Sequence, residues 1–244
     1  MDHDGDGSDY SPAPEEFLAP QTPTLDETLG RVYSGRPLPA LYGRAWLLTL
    51  LACAEGFGLT PIPGDLVHGM GLLADGLAEV YKVPSPDRAV LKSDRLPFFP
   101  SLQWDLDRLL VQGLLESWTV DRESGGLQTV YACTETGRSM VNLLDGSPLL
   151  RQAQPFLKEV VAALADSSEL DAETIAAGDS TFAAPARVGS VLDFGEWDDP
   201  RFHNYALRTT EAFEKANTRG LPFGRRDRVH LYAKYLVHVG RGAA

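Results

Sequence analysis

Two cysteines in 244 residues are too few for a disulfide framework, and Cys53 and Cys133 lack the spacing of metal ligands. Both sit in apolar runs, which predicts buried, reduced thiols. Lysine is nearly as scarce, at five residues against 17 arginines. Residues 1–30 hold no lysine or arginine at all, so no secretory leader with a basic start is expected. The most apolar uncharged stretch, Ala45 to Ala54, is ten residues long. A membrane span needs about 20. The chain therefore reads as cytoplasmic, with no membrane partner.

The recognisable chemistry of nucleotide enzymes is also missing. No phosphate loop ending in Gly-Lys-Ser/Thr occurs. Asp193-Phe194-Gly195 spells the magnesium triplet of protein kinases, but the glycine-rich loop, strand lysine and His-Arg-Asp that must accompany it are lacking. Asp193, Glu196, Asp198 and Asp199 are hard oxygen ligands in principle. Asp199 is better read as a helix cap before Pro200, and the group as a solvated loop. His230 and His238 lie about 12 Å apart along one helix, too far to share an ion. No catalytic set, cofactor site or metal site is expected.

What is present is acidic and unevenly spread. The net charge of −12 divides into −8 over residues 1–30, −9 over 31–218 and +5 over 219–244. A surface built to grip a polyanion carries cations, since phosphate neutralisation supplies much of the binding energy. Only the last helix, with Arg225, Arg226, Arg228 and Lys234, offers phosphate contacts, and those without sequence preference.

Residues 1–35, rich in acid and proline, bury too little apolar surface to offset their ordering entropy and read as a disordered tail. Leu41–Glu55 is apolar nearly all round and predicts a central helix. Leu66, Met70, Leu73, Leu77 and Tyr81 form a second helical stripe. Gly69, Gly71 and Gly76 within it make sense if other helices approach closely. Val83–Pro100, with its prolines, reads as an irregular connector. Further on, Phe156 to Leu164 mark a helix, Ser168 and Asp171 resemble a capping box, and Asp179–Asp199 reads as a long loop anchored by Val191, Phe194 and Trp197. Asp199-Pro200 predicts the start of a helix with Phe202, Tyr205, Thr209, Phe213 and Ala216 on one face. A last helix, from about Arg225, buries Val229, Tyr232, Leu236 and Val239.

The most informative stretch is 100–145. Ser101 is placed as an N-cap, and Leu102, Leu106, Leu109 and Leu110 give a helix ending at Gly113. Two β-rich segments, Leu115–Asp121 and Leu127–Cys133, flank a Gly125-Gly126 turn. Thr134 then opens a helix with Met140, Val141, Leu143 and Leu144 facing inward. Pro97-Phe-Phe-Pro100, Leu106-Asp-Arg-Leu109, Gln112-Gly113-Leu114 and Tyr131 with Thr134-Glu-Thr-Gly137 resemble the winged helix-turn-helix superfamily. The chain is also similar to the middle component of bacterial three-component systems that pair an SMC-like ATPase with an effector in anti-phage defence. The resemblance implies a mainly α fold with a small β-hairpin wing: a winged-helix domain at 36–147 and a helical C-terminal region at 148–244.

In such modules the helix before the wing enters the DNA major groove. Here its non-core positions sum to −1, as does the wing tip Asp121–Gly126. Aspartates would repel phosphate, whereas an exposed Trp104 and Val111 suit protein recognition. Trp104, Asp105 and Val111, with Trp197 from the later loop, are the candidate protein-contact residues. The leading expectation is a non-catalytic adaptor, its partners an SMC-like ATPase and an effector by resemblance. The second is a winged-helix transcriptional regulator; an enzyme with an unrecognised site around Asp193–Asp199 stands third.

Overall fold

The computed structural model describes residues 41–86, 89–122, 125–145, 147, 150–167, 171–183, 187–193, 204–217, 220 and 222–243. In chain order the elements are α1 (Tyr42–Gly56), β1 (Ile62–Pro63), α2 (Gly64–Tyr81), β2 (Ala89–Lys92), β3 (Pro97–Phe98), α3 (Pro100–Val111), β4 (Leu115–Asp121) and β5 (Leu127–Cys133). There follow α4 (Glu135–Leu144), α5 (Ala153–Ala165), α6 (Ala172–Gly178), α7 (Ser180–Ala183), β6 (Val191–Asp193), α8 (Tyr205–Ala216) and α9 (Arg225–Ala243). Helix dominates. The strands form two antiparallel sheets of three, ordered β1-β5-β4 and β3-β2-β6. Among the described residues no helix is long and apolar enough to cross a membrane. The expected acidic tail, residues 1–35, lies outside the described residues.

α2 is the centre of the packing. It is buried continuously from Val67 to Ala78, because its glycines let neighbours approach on several sides. A Cβ at Gly69 would lie 3.1 Å from the Cα of Ala172 on α6, one at Gly71 2.9 Å from Leu102 on α3, and one at Gly76 3.1 Å from Ala206 on α8. The helix-weakening glycines thus trade about 1 kcal/mol each of propensity for close helix contact. α6 and α9 cross the same way: a Cβ at Gly178 would sit 2.5 Å from the Leu236 carbonyl oxygen, and one at Gly240 2.9 Å from that of Thr174.

One hydrophobic core runs from Tyr42 and Trp46 on α1, through Met70 and Leu73 on α2, to Phe156 and Val160 on α5 and Tyr232 and Leu236 on α9. Both stretches expected as separate regions, 36–147 and 148–244, contribute to it.

Several elements depart from the sequence reading. The connector Val83–Pro100 contains β2 and β3, and the loop Asp179–Asp199 contains α7 and β6. These two segments pair with each other, Val90 opposite Leu192, a hundred residues apart in sequence. Strands of two to four residues are too short for alternation to show. The α3 cap position is Phe99, with Pro100 in the first turn, and Ser101 lies inside the helix. α6 is capped by Asp171, whose Oδ1 accepts from the Thr174 amide at 2.7 Å. Thr134 caps α4 as expected, accepting from the Gly137 amide at 3.0 Å. On α4, however, Val141 and Leu144 pack inward while Met140 and Leu143 face outward, Leu143 being 77% exposed. α8 is rotated relative to its expected face: Ala206 and Thr210 are buried and Tyr205 and Ala216 exposed. Asn204 caps that helix, accepting from the Leu207 amide at 2.8 Å. Asp199-Pro200 and Phe202 lie outside the described residues.

Candidate interaction surface

α3 is amphipathic by simple periodicity. Leu102, Leu106 and Leu109 anchor it in the core. Positions 104, 108 and 111 fall on the opposite side, one turn apart. Trp104 is 62% exposed and Val111 89% exposed. The Arg108 guanidinium lies 5.1 Å from the Trp104 ring centroid, so a cation–π contact holds both side chains on the surface. Asp107 is exposed beside them and accepts from Gln103 Nε2 at 2.9 Å. Asp107 and Arg108 cancel, leaving the outer face neutral with two bare apolar side chains.

Asp105 does not belong to that face. It turns toward α1, where its carboxylate lies 3.7 Å from Arg44 Nε. Burial pushes its pKa up, opposed by Arg44 and Arg108. Of the sequence-selected contact residues, Trp104 and Val111 are brought together on one surface, Asp105 is turned inward, and Trp197 lies outside the described residues, as do Glu196, Asp198 and Asp199.

What fixes the start of α3 was not legible in the sequence. His68, buried on α2, accepts a hydrogen bond from the Phe99 amide at Nδ1, 3.2 Å away. Its Nε2 must then carry the hydrogen, facing Gln103 Oε1 at 3.4 Å. Gln103 in turn donates to Asp107. This relay runs from a buried backbone amide to the exposed face of α3. Burial lowers the His68 pKa, with Gln103 and Asp65 opposing it, so the neutral ring is favoured.

The arginines around α3 and the hairpin are engaged by acids. Arg44 faces Asp105, Arg122 meets Asp65 at 3.0 Å, and Arg138 meets Glu55 at 2.8 Å. The hairpin adds exposed apolar surface through Trp118, 42% exposed, and Leu127, 71% exposed.

On α9 the basic cluster is directed at neighbouring helices. Arg226 pairs with Glu159 of α5 at 3.2 Å, and Arg228 pairs with Glu214 of α8. The Arg225 guanidinium lies 5.8 Å from the Tyr81 ring. Lys234 is exposed. His230 sits between Asp166, 3.1 Å from Nδ1, and Glu159, 3.5 Å from Nε2.

Among the described residues no cluster of three or more His, Cys, Asp or Glu side chains could hold a metal ion. Burial raises the Cys53 thiol to about 11 and the Cys133 thiol to about 12, so both stay protonated at neutral pH. An open cleft of about 630 Å³ lies between Lys92, Asp94, Arg95 and the start of α6, with its cap Asp171 and with Glu173. Its Lys92 ammonium donates to the Phe182 carbonyl at 2.8 Å, a contact that ties β2 to α7. No protein family, curated protein or solved structure matches the chain.

Proposed function

We propose that residues 42–144 form a winged helix-turn-helix unit that serves as a polypeptide-binding adaptor within a multi-protein assembly, with no catalysis of its own. The element order is compatible with the fold reading: α1, β1, α2, then the inserted strands β2 and β3, α3 and a β4–β5 hairpin, with β1 added to the hairpin as a third strand. The observation that carries the function is the outer face of α3. Trp104 and Val111 stand exposed there, Asp107 and Arg108 sum to no net charge, and Arg44, Arg122 and Arg138 lie against carboxylates. Such a face offers phosphate little and offers a protein the aromatic and arginine anchors that dominate interfaces. By the resemblance noted in the sequence, the partners are an SMC-like ATPase and an effector subunit.

The test is affinity capture of the tagged full chain from its native host, beside the double variant Trp104→Ala/Val111→Ser. The expected result is stoichiometric recovery of the products of neighbouring genes with the wild type and loss of that recovery with the variant. Equal recovery with both proteins would remove the α3 face from the function.

A further inference from the structure

β4 is an edge strand, and the hydrogen-bond pattern shows which of its backbone groups face outward. The β4–β5 register runs without a bulge from Leu115 opposite Cys133 to Asp121 opposite Leu127. At its ends the Thr134 amide donates to the Leu114 carbonyl at 3.1 Å and the Arg122 amide to the Gly126 carbonyl at 2.9 Å. Antiparallel ladders alternate between bonded and non-bonded residues. Positions 116, 118 and 120 therefore share the parity of 114 and 122 and spend their backbone groups on β5. Leu115, Ser117, Thr119 and Asp121 point theirs away from it. β1 occupies the far side of β5, and among the described residues no strand lies beyond β4.

Exposed edges are ordinarily blunted by charged side chains, above all lysine, or by proline, bulges or brevity. β4 has no lysine, proline or bulge: it is seven residues long, reads Leu-Glu-Ser-Trp-Thr-Val-Asp, and is exposed from Glu116 to Thr119. Its charged side chains are both acidic, Glu116 near one end and Asp121 at the other, with Trp118 between them. Another acidic strand is repelled by that arrangement, and a cationic one is drawn to it.

We infer that the outer edge of β4 is a docking track for an extended, cationic polypeptide segment, which adds as a fourth strand with basic side chains near Glu116 and Asp121 and an apolar one against Trp118. Main-chain bonds to Leu115, Ser117, Thr119 and Asp121 provide the attachment, and the side chains select the sequence. This inference rests on the polypeptide-binding reading of the same unit and specifies the partner's chemistry.

The test uses the ¹⁵N-labelled full chain and two nine-residue synthetic peptides, one with lysines at both ends of a valine–threonine centre, the other with glutamates in their place. The lysine peptide is expected to bind roughly tenfold more tightly than the glutamate peptide. On binding, the Ser117 and Thr119 amides become protected from exchange, while those of Trp118 and Val120 are protected before and after. Thr119→Pro removes an outward amide and spares the ladder to β5, because proline is tolerated on the free side of an edge strand. It should weaken the lysine peptide by about tenfold with far-ultraviolet dichroism unchanged. The amide pattern is read on the wild type, so it decides the matter even if that variant fails to fold.

Unchanged Ser117 and Thr119 amides, equal binding of both peptides, or protection that rises with protein concentration alone would overturn the inference. Capture of native partners that survives Thr119→Pro but fails with Trp104→Ala/Val111→Ser would sink the edge proposal and leave the α3 reading standing. The reverse pattern would do the opposite.

Discussion

The Tyr232 hydroxyl donates to Asp179 Oδ2 at 2.8 Å in the interior, tying α9 to the junction of α6 and α7. Asp179 also accepts from the Thr181 and Phe182 amides through Oδ1, both at 2.9 Å. Burial nonetheless pushes the carboxyl pKa above its ordinary 3.8, since these bonds, together with one from the Thr181 side chain, offset only part of the lost hydration. Removing the hydroxyl by Tyr232→Phe leaves the carboxylate short of a donor and should cost about 2 kcal/mol at neutral pH. Urea denaturation measures it.

The same carboxyl gives a pH signature. Its folded pKa lies above its unfolded one, so the native state binds the extra proton in that window. The contribution of Asp179 is therefore most favourable below the unfolded value and declines as pH rises through the raised folded value. Asp179→Asn keeps an acceptor for the two amides and cannot ionise. Its stability should fall less than wild type between acid and neutral pH, in paired denaturation curves across that range.

His68 works in the other direction. Its folded pKa is depressed from 6.5, so the unfolded chain takes up the proton first as pH falls. The stability it contributes is complete above 6.5 and is lost as pH drops toward the depressed folded value. Protonation at Nδ1 also forbids the Phe99 bond. The protection of the Phe99 amide, measured against its intrinsic exchange rate at each pH, should therefore fall in mild acid in the wild type. His68→Asn, which keeps an acceptor and does not titrate, should show no such fall; equal behaviour of the two proteins would detach His68 from the start of α3.

The glycine contacts make a ranked prediction. A methyl group at Gly178 meets the backbone of Leu236, which cannot rotate away, whereas one at Gly71 meets the end of the Leu102 side chain. Gly178→Ala should cost about 3 kcal/mol. Gly71→Ala should cost roughly 1 kcal/mol or less, because the gain in helix propensity offsets the shift of Leu102. Thermal melts of the two variants should keep that order.

Duplex DNA offers a direct check on the charge argument. The α9 cations Arg226 and Arg228 already face Glu159 and Glu214. The expected result is no retarded complex at physiological salt. A complex whose affinity falls steeply with salt would show that phosphate neutralisation operates after all.

The helices with strong periodicity were legible in the sequence, as was the hairpin. α1 announced itself through apolar residues on nearly every side, α2 through the stripe Leu66, Met70, Leu73, Leu77 and Tyr81, and Thr134 through its capping position. The close contacts implied by Gly69, Gly71 and Gly76 were foreseen as well, though not their partners Ala172, Leu102 and Ala206. β2 and β6 were not foreseen, because a pair of short strands joined across a hundred residues leaves no local pattern. The outward turn of Met140 and Leu143 was missed because hydropathy reports what a side chain prefers, and not which neighbours remain to cover it. At the surface, Trp104 and Val111 could be placed by helical spacing. Asp105 could not, since its inward turn depends on Arg44 arriving from another helix. His68 gave no signal either: a lone histidine in an apolar stripe does not reveal an amide thirty-one residues away.

The core shared by α1, α2, α5 and α9 bears on modularity. A fragment ending at residue 147 would strip Ala172 and Ala206 from the glycine contacts of α2 and remove Phe156, Val160, Tyr232 and Leu236 from the common core, so it should precipitate when expressed alone. Residues 42–144 are thus not a cassette that could be lifted out and grafted elsewhere. The two portions are obligate companions, and a substitution on either side of that seam is judged by the fit of both.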